Sequence, residues 1–84
     1  MYYIFSFRSR NQSIGFFEAV RGAGIGAKII NTPRAISIGC GLSVKVCACD
    51  IDGAAELLNR CPYDTFLGLF YYNGAELTRV KDKR

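Results

Sequence analysis

The sequence contains no histidine and no tryptophan, only two prolines, and no long apolar run. Without histidine the chain cannot form a Ser-His-Asp or Cys-His catalytic site, a histidine-ligated zinc site or the usual proton shuttle. No segment reaches the roughly 18 consecutive apolar residues of a transmembrane helix. Residues 1–7 also lack a basic leader followed by a long apolar core. We therefore expect a cytoplasmic protein that makes no contact with membranes.

The 84 residues suffice for one domain, which we predict over residues 1–80, followed by a basic tail at residues 81–84. Half of the residues are hydrophobic and 13% are aromatic, which is too apolar for a disordered chain. The net charge of +4 is concentrated at the carboxyl end. We interpret this tail as solvated; the alternative is a weak attraction to an acidic partner or to nucleic acid. Helix-turn-helix, zinc-finger and RNA-binding motifs are missing, so we predict no specific nucleic-acid binding.

The hydrophobic pattern predicts the order β-α-β-β-α-β and a final hairpin strand. Strands are predicted at residues 2–7, 27–32, 42–49, 66–72 and 75–80, and helices at residues 11–23 and from 50 or 52 to 61. Pro33 ends the second strand, and Asn73-Gly74 is typical of a hairpin turn. This order indicates an α+β, ferredoxin-like sandwich. Its antiparallel sheet would carry two helices on one face and an extra carboxyl-terminal edge strand.

In the first helix, Ile14, Phe17 and Val20 recur at three-residue steps, which places them on one face. Ser9 or Asn11 could cap the start of this helix.

The first and fourth strands are apolar on both sides, which suggests a use for the sheet face that the helices leave open. In the first strand Ile4 lies on one side, and Phe5 and Phe7 lie on the other. In the fourth strand Phe70 and Leu69 likewise point to opposite sides. A bare face of this kind is a plausible interface. We therefore predict a homodimer, or a complex with a partner protein, formed through this face.

Four cysteines are present, and three of them are interpreted as structural. Cys47 and Cys49 fall on the same side of a predicted strand and are poorly placed to bond to each other, so we interpret them as small apolar or interface residues. Cys61 precedes Pro62 at a predicted helix end, where the helix dipole disfavours a thiolate. Because the four do not form two close pairs, we predict no metal site, and nothing in the sequence implies a cofactor.

Cys40 differs from the other cysteines because it stands between Gly39 and Gly41. The flanking glycines leave the backbone uncovered and free to adopt unusual dihedral angles. Arg34 and Ser37 lie on the same connection, and a cation and a hydroxyl beside the sulfur would lower the thiol pKa. A thiolate is the form that accepts and transfers sulfur. The alternative is a tight turn that holds a small buried cysteine.

The residues Thr-Pro-Arg-Ala-Ile-Ser from Thr32 to Ser37, followed by Gly-Cys-Gly-Leu from Gly39, resemble the Se/S carrier-like family of small bacterial domains. The resemblance covers most of the chain, including the helix end at Ala23-Gly24-Ile25. It implies a carrier of sulfur or selenium that holds the atom on Cys40 as a persulfide or selenosulfide, with Arg34 and Ser37 shaping the loop. Pro33, Gly39 and Gly41 belong to the same motif. Donor and acceptor proteins would be its partners.

Two further functions compete with the carrier. One is a non-catalytic interaction or regulatory module that uses the open apolar sheet face. The other, an enzyme, has less support because no paired acid and base stand out. The glycines at residues 22, 24 and 26 fail the spacing of a dinucleotide-binding fingerprint and follow a helix rather than a strand. We therefore expect a carrier or binding domain rather than an enzyme.

Overall fold

The computed structural model describes residues 1–36, 41–61 and 63–80, which form five strands and two helices. The elements are β1 (Tyr2–Phe7), α1 (Arg10–Gly22), β2 (Ala27–Asn31), β3 (Leu42–Cys47), α2 (Ile51–Arg60), β4 (Phe66–Tyr72) and β5 (Leu77–Val80). A short 3₁₀ turn, Ala48–Asp50, connects β3 to α2. Pro62 and the predicted basic tail at residues 81–84 lie outside the described residues.

The five strands form one antiparallel sheet in the order β2-β3-β1-β4-β5. This confirms the predicted α+β class. The order of the first four strands is compatible with the ferredoxin-like arrangement. β5 pairs only with β4, so it forms the edge of the sheet, as the hairpin signal predicted. In the described residues, no helix combines the length and the apolar character needed to cross a membrane.

The main core lies between the sheet and the two helices. Phe5 and Phe7 of β1 are fully buried and pack against Phe16 of α1, with ring centroids 4.8 and 5.5 Å apart. Ala54 and Leu58 of α2 are buried in the same cluster, so both helices cover the same sheet face. Burial of each large apolar side chain stabilises the fold by about 1.5–3 kcal/mol.

The ends of α1 follow from its sequence, but its buried face was predicted only in part. Ser9 is the N-cap, and its hydroxyl accepts a hydrogen bond from the Gln12 backbone N–H at 3.3 Å. The buried residues of α1 are Ser13, Phe16 and Val20, whereas Ile14 and Phe17 are only half-buried. Apolar spacing could not find Ser13, because this polar residue is buried through hydrogen bonds rather than through hydrophobicity.

A hydrogen-bonded clasp joins the start of α1 to the connection between α2 and β4. The Gln12 Oε1 atom accepts from the Thr65 backbone N–H at 3.1 Å and from its hydroxyl at 2.6 Å. The Gln12 Nε2 atom donates to Asp64 Oδ1 at 2.7 Å. The Arg8 backbone N–H donates to the Thr65 carbonyl at 2.8 Å. These contacts fix the end of the sheet at which β1 ends and β4 begins.

The sheet face opposite the helices is less bare than the sequence suggested. Ile36, which follows β2 in the chain, is only 6% exposed and packs with Ile4 and Phe70 on that face. Ile4 is fully buried as a result, and among the described residues the only exposed large hydrophobic side chain is Met1. The segment after β2 therefore covers part of the sheet face that we expected a dimer partner to cover. The homodimer stays a prediction.

Two strand ends differ from the prediction. β3 ends at Cys47 rather than Cys49, because Cys47 pairs with Tyr2, the residue at which β1 begins. Beyond that pair a long hydrogen bond from the Ala48 N–H to the Met1 carbonyl, 3.5 Å, is the last contact between the two segments before the chain turns. β5 begins at Leu77 rather than at residue 75, because the hairpin uses a four-residue loop in which the Asn73 side chain accepts two backbone N–H groups at 2.8 Å each.

Candidate functional site

The connection between β2 and β3 is the segment that the sequence predicts to be functional, and backbone hydrogen bonds close its base. The Thr32 backbone N–H donates to the Gly41 carbonyl at 2.8 Å, which closes the connection. Inside it, the Ile36 N–H donates to the Pro33 carbonyl at 3.0 Å and forms a turn. Gly41 has a φ of 89°, in the left-handed region that disfavours any residue with a Cβ. Pro33 is half-buried at the start of the turn.

The predicted acceptor Cys40, together with Ser37 and Gly39, lies outside the described residues. Of the predicted site residues, the structure therefore places Pro33, Arg34 and Gly41. Arg34 is exposed in the turn that follows β2, on the same connection as predicted. Gly41 is the residue directly after Cys40 and immediately precedes β3.

A chain of three hydroxyl groups lies beneath the base of this connection. The Ser6 and Ser43 hydroxyls, both fully buried, are register partners on β1 and β3 and lie 3.1 Å apart. The Ser43 hydroxyl also shares a hydrogen bond of 2.7 Å with the Thr32 hydroxyl. Thr32 thus anchors the connection twice, through its side chain to Ser43 and through its backbone to Gly41. Sequence reasoning missed this chain, because the alternation in β1 gives Ser6 no apparent role.

The same end of the sheet is positively charged. Arg8 follows the end of β1, Arg10 begins α1, and Arg34 follows the end of β2, and all three are exposed. The Ser13 hydroxyl of α1 donates to the Leu42 carbonyl at 3.2 Å, so the amino-terminal half of α1 packs beside the start of β3. The first turn of α1 carries no acidic residue. The Asp64 carboxylate, bonded to Gln12 in the first turn of α1, offsets part of this charge. The exposed arginines favour further negative charge nearby.

At the opposite end of β3, the structure brings together the side chains of Cys47 and Cys49, which the predicted continuous strand would have kept apart. The prediction that Cys47 and Cys49 are poorly placed to bond is wrong, because the strand stops at Cys47 and the 3₁₀ turn folds Cys49 back. Their Sγ atoms lie 2.7 Å apart, and the Cys49 backbone N–H donates to Cys47 Sγ at 3.5 Å. Both are exposed free thiols rather than apolar filler. A Cys-x-Cys sequence at the end of a strand was the signal available.

The two thiols of this pair differ in acidity. Hydrogen bonds from the Cys49 side chain, and then from its backbone N–H, lower the pKa of Cys47 below its usual value, while the nearby Asp50 carboxylate opposes this shift. The reciprocal hydrogen bond to Cys47, together with partial desolvation and Asp50, raises the pKa of Cys49 to about 11. Of the two thiols, Cys47 is therefore the one that loses its proton more readily.

Cys47 lines a groove of about 620 Å³ at the edge of the sheet formed by β2 and β3. The other lining residues include Tyr2, Arg21, Lys28 and Lys45. Lys28 and Lys45 are direct cross-strand partners, an arrangement of like charges that is ordinarily unfavourable. The Lys45 ammonium lies 4.3 Å from the centroid of the Tyr2 ring. Within the described part of the chain, neither lysine forms an ion pair with an acidic residue.

Cys61 is the C-cap of α2 and is exposed, so it is not a buried structural residue. Its neighbour Tyr63 packs against Phe7 and Phe16, and burial followed by the proximity of Cys61 raises the pKa of the Tyr63 hydroxyl. In the ranges that the structure describes, no three cysteine, aspartate or glutamate side chains come together as a metal site.

A family model described as "Putative Se/S carrier protein-like" matches residues 2–65, a segment that runs from β1 through α2 and stops just before β4. A search of curated proteins and a search of solved structures each gave no match. The match covers well over half of the chain and spans the whole connection between β2 and β3. The chain therefore belongs to the Se/S carrier-like family.

Proposed function

We propose that this protein carries sulfur or selenium on Cys40 and transfers it between partner proteins. The observation that carries the proposal is the family match over residues 2–65, which includes the Gly-Cys-Gly sequence. The closed base of the connection supports it, because the Thr32–Gly41 hydrogen bond and the hydrogen bond between the Thr32 and Ser43 hydroxyls fix the two ends of the segment that contains Cys40 in the sequence. A carrier needs a thiol that is held in place by its loop and reachable by a second protein.

The loading step is a sulfur transfer in which the Cys40 thiolate attacks the outer sulfur of a persulfide donor. A bond forms between Cys40 and that sulfur, the bond within the donor breaks, and the donor leaves as a thiolate. For selenium, the thiolate attacks the terminal selenium of a cysteine-bound selenosulfide on the donor, a bond forms between the Cys40 sulfur and selenium, and the donor again leaves as a thiolate. Neither step requires an external oxidant. Arg34 would stabilise the thiolate electrostatically, and Ser37 would donate a hydrogen bond to it.

Positive charge at this end of the sheet favours partners with an acidic docking surface. Arg8, Arg10 and Arg34 are all exposed there and extend from different parts of the fold. Complementary charge chiefly accelerates the encounter between carrier and partner. The alternative function, a module that binds through the open sheet face, has little exposed apolar surface to use among the described residues, because Ile36 covers Ile4 and Phe70.

Loading with glutathione persulfide tests the carrier. In a Cys47→Ser/Cys49→Ser background, which removes the exposed thiol pair at the end of β3, intact-mass measurement should show one added sulfur that mild reduction removes and that Cys40→Ser abolishes. Cys61→Ser, which removes one exposed thiol elsewhere in the chain, is the matched control and should load normally. Arg34→Gln should slow loading, whereas Arg60→Gln, which makes the same change of charge on α2, should not. Full loading of Cys40→Ser would reject the proposal.

A further inference from the structure

The thiol pair at the end of β3 has no role in the carrier proposed above, yet it has the arrangement of a thiol-exchange site. The Sγ atoms of Cys47 and Cys49 lie 2.7 Å apart, and both side chains are exposed to solvent. Reactive dithiols consist of an accessible nucleophilic sulfur and a neighbouring sulfur that can displace its adduct. The 3₁₀ turn Ala48–Asp50 creates this juxtaposition, which a continuous strand would have prevented.

The groove beside Cys47 indicates what kind of molecule the pair meets. Lys28 and Lys45 project from adjacent strands at directly opposed positions, and no acidic residue in the described ranges pairs with them. Arg21 lines the same groove. Two unpaired ammonium groups on neighbouring strands repel each other, and a bound anion would relieve that repulsion. The volume of about 620 Å³ is within the range of small-molecule sites.

We propose that Cys47 and Cys49 form a redox-active dithiol that exchanges with anionic low-molecular-weight disulfides held by Lys28 and Lys45. The ligand class is a disulfide that bears carboxylates, of which glutathione disulfide is the probe chosen here. This site lies at the other end of β3 from Gly41 and does not depend on Cys40.

The exchange proceeds in two balanced steps. The Cys47 thiolate attacks one sulfur of the small disulfide, forms a mixed disulfide and releases one small thiolate. Cys49 then loses its proton to solvent or to that thiolate, attacks Cys47 Sγ and releases the second small thiol. The protein dithiol is oxidised to a Cys47–Cys49 disulfide, and the small disulfide is reduced to two thiols. The reverse reaction restores the dithiol.

The test begins from Cys40→Ser/Cys61→Ser protein, so that only the pair can react. After equilibration with glutathione and glutathione disulfide, remaining thiols are alkylated and the intact mass is measured. We expect both thiols to be lost together, with a peptide that links Cys47 to Cys49. Adding Cys49→Ser should stop the reaction at a glutathione adduct on Cys47, and adding Cys47→Ser should abolish the linked product. Two thiols that remain alkylatable at every ratio of glutathione disulfide to glutathione would overturn the proposal.

Charge recognition is tested separately by the rate of the first step. Lys28→Gln and Lys45→Gln should each slow the reaction with glutathione disulfide by about three- to tenfold at low ionic strength. Neither should change the rate with hydroxyethyl disulfide, which is neutral. Arg60→Gln removes a positive charge outside the groove and should leave both rates unchanged. An equal loss of rate with the charged and the neutral disulfide would refute the role of the lysines.

Discussion

Ser43 is the central member of the hydroxyl chain beneath the Cys40 connection, and its removal offers a quantitative test of that chain. Ser43→Ala deletes the hydrogen bonds to Ser6 and Thr32. It also leaves the Ser6 hydroxyl, which is fully buried, without a partner. An orphaned buried hydroxyl costs about 1–3 kcal/mol of unfolding free energy. Thr32 is half-exposed and can bond to water instead, so it adds little to that cost.

The neighbouring substitutions should cost less. Ser6→Ala removes one hydrogen bond but leaves Ser43 paired with Thr32, and Thr32→Val leaves Ser43 paired with Ser6. Each should lower the unfolding free energy by about 0.5–1.5 kcal/mol. The double variant Ser6→Ala/Ser43→Ala has no orphaned buried hydroxyl, so it should be no less stable than Ser43→Ala alone. The interaction energy between the two serines is then about 1 kcal/mol.

Urea unfolding followed by far-ultraviolet circular dichroism measures all four variants, because the chain has no tryptophan for fluorescence. Independent sites add to within about 0.5 kcal/mol. If the effects of Ser6→Ala and Ser43→Ala simply add, the two hydroxyls do not share a buried hydrogen bond, and the account of the loop base is wrong.

Three further predictions concern the loop and the thiol pair. Gly41→Ala should destabilise the protein by about 1–2 kcal/mol, because the Gly41 φ of 89° strains any residue with a Cβ. Gly15→Ala, inside α1 with open space around the added Cβ, should instead stabilise the protein by about 0.5–1 kcal/mol. Urea unfolding that shows the same sign of change for both variants would contradict this. Ile36→Ala should cost about 2 kcal/mol in the same assay, since it uncovers the opposite face of the sheet; no loss would show that Ile36 does not cover that face. Cys49→Ala should raise the pH midpoint of Cys47 alkylation. The substitution removes the side-chain donor that lowers the Cys47 pKa, while the backbone N–H donor remains. An unchanged midpoint would contradict this.

The strands and helices could be predicted where local sequence and tertiary environment agree. β1 and β4 are apolar and aromatic, and both occur at the predicted residues. The end of α1 follows from Gly24, whose φ of 84° allows the Gly24 and Ile25 N–H groups to bond back to the last turn of the helix. In these cases the residue type itself dictates the backbone.

The end of β3 could not be predicted in this way, because it depends on the partner strand. The alternation from Val44 onward continues through Cys49, and nothing local stops it. The regular pairing ends where Cys47 opposes Tyr2, and beyond it only a long hydrogen bond from the Ala48 N–H to the Met1 carbonyl remains. The thiol pair was missed for the same reason, since its geometry follows from the length of a neighbouring strand.

The cover on the open sheet face was also missed, because it depends on contacts that are distant in the sequence. The alternation showed that β1 and β4 are apolar on both sides, and from it we predicted a homodimer or partner interface on the open face, which stays a prediction. The alternation could not show that Ile36 of the same chain covers part of that face. A short connecting segment carries too weak a pattern to reveal which strand it will pack against.

The positions of the two proposed thiol sites lead to a final prediction about their independence. Leu42 and Cys47 are the ends of β3, and at the usual rise per residue they lie about 17 Å apart. Gly41 adjoins the first end and the dithiol lies at the second, so the two sites should react separately within one molecule. Cys47→Ser/Cys49→Ser should therefore load sulfur on Cys40 at the wild-type rate, and Cys40→Ser should oxidise its dithiol at the wild-type rate. The prediction fails if Cys47→Ser/Cys49→Ser loads severalfold more slowly than the wild type at the same protein concentration. If the ratio of the two loading rates also stays the same on dilution, the two thiol sites are coupled within one molecule.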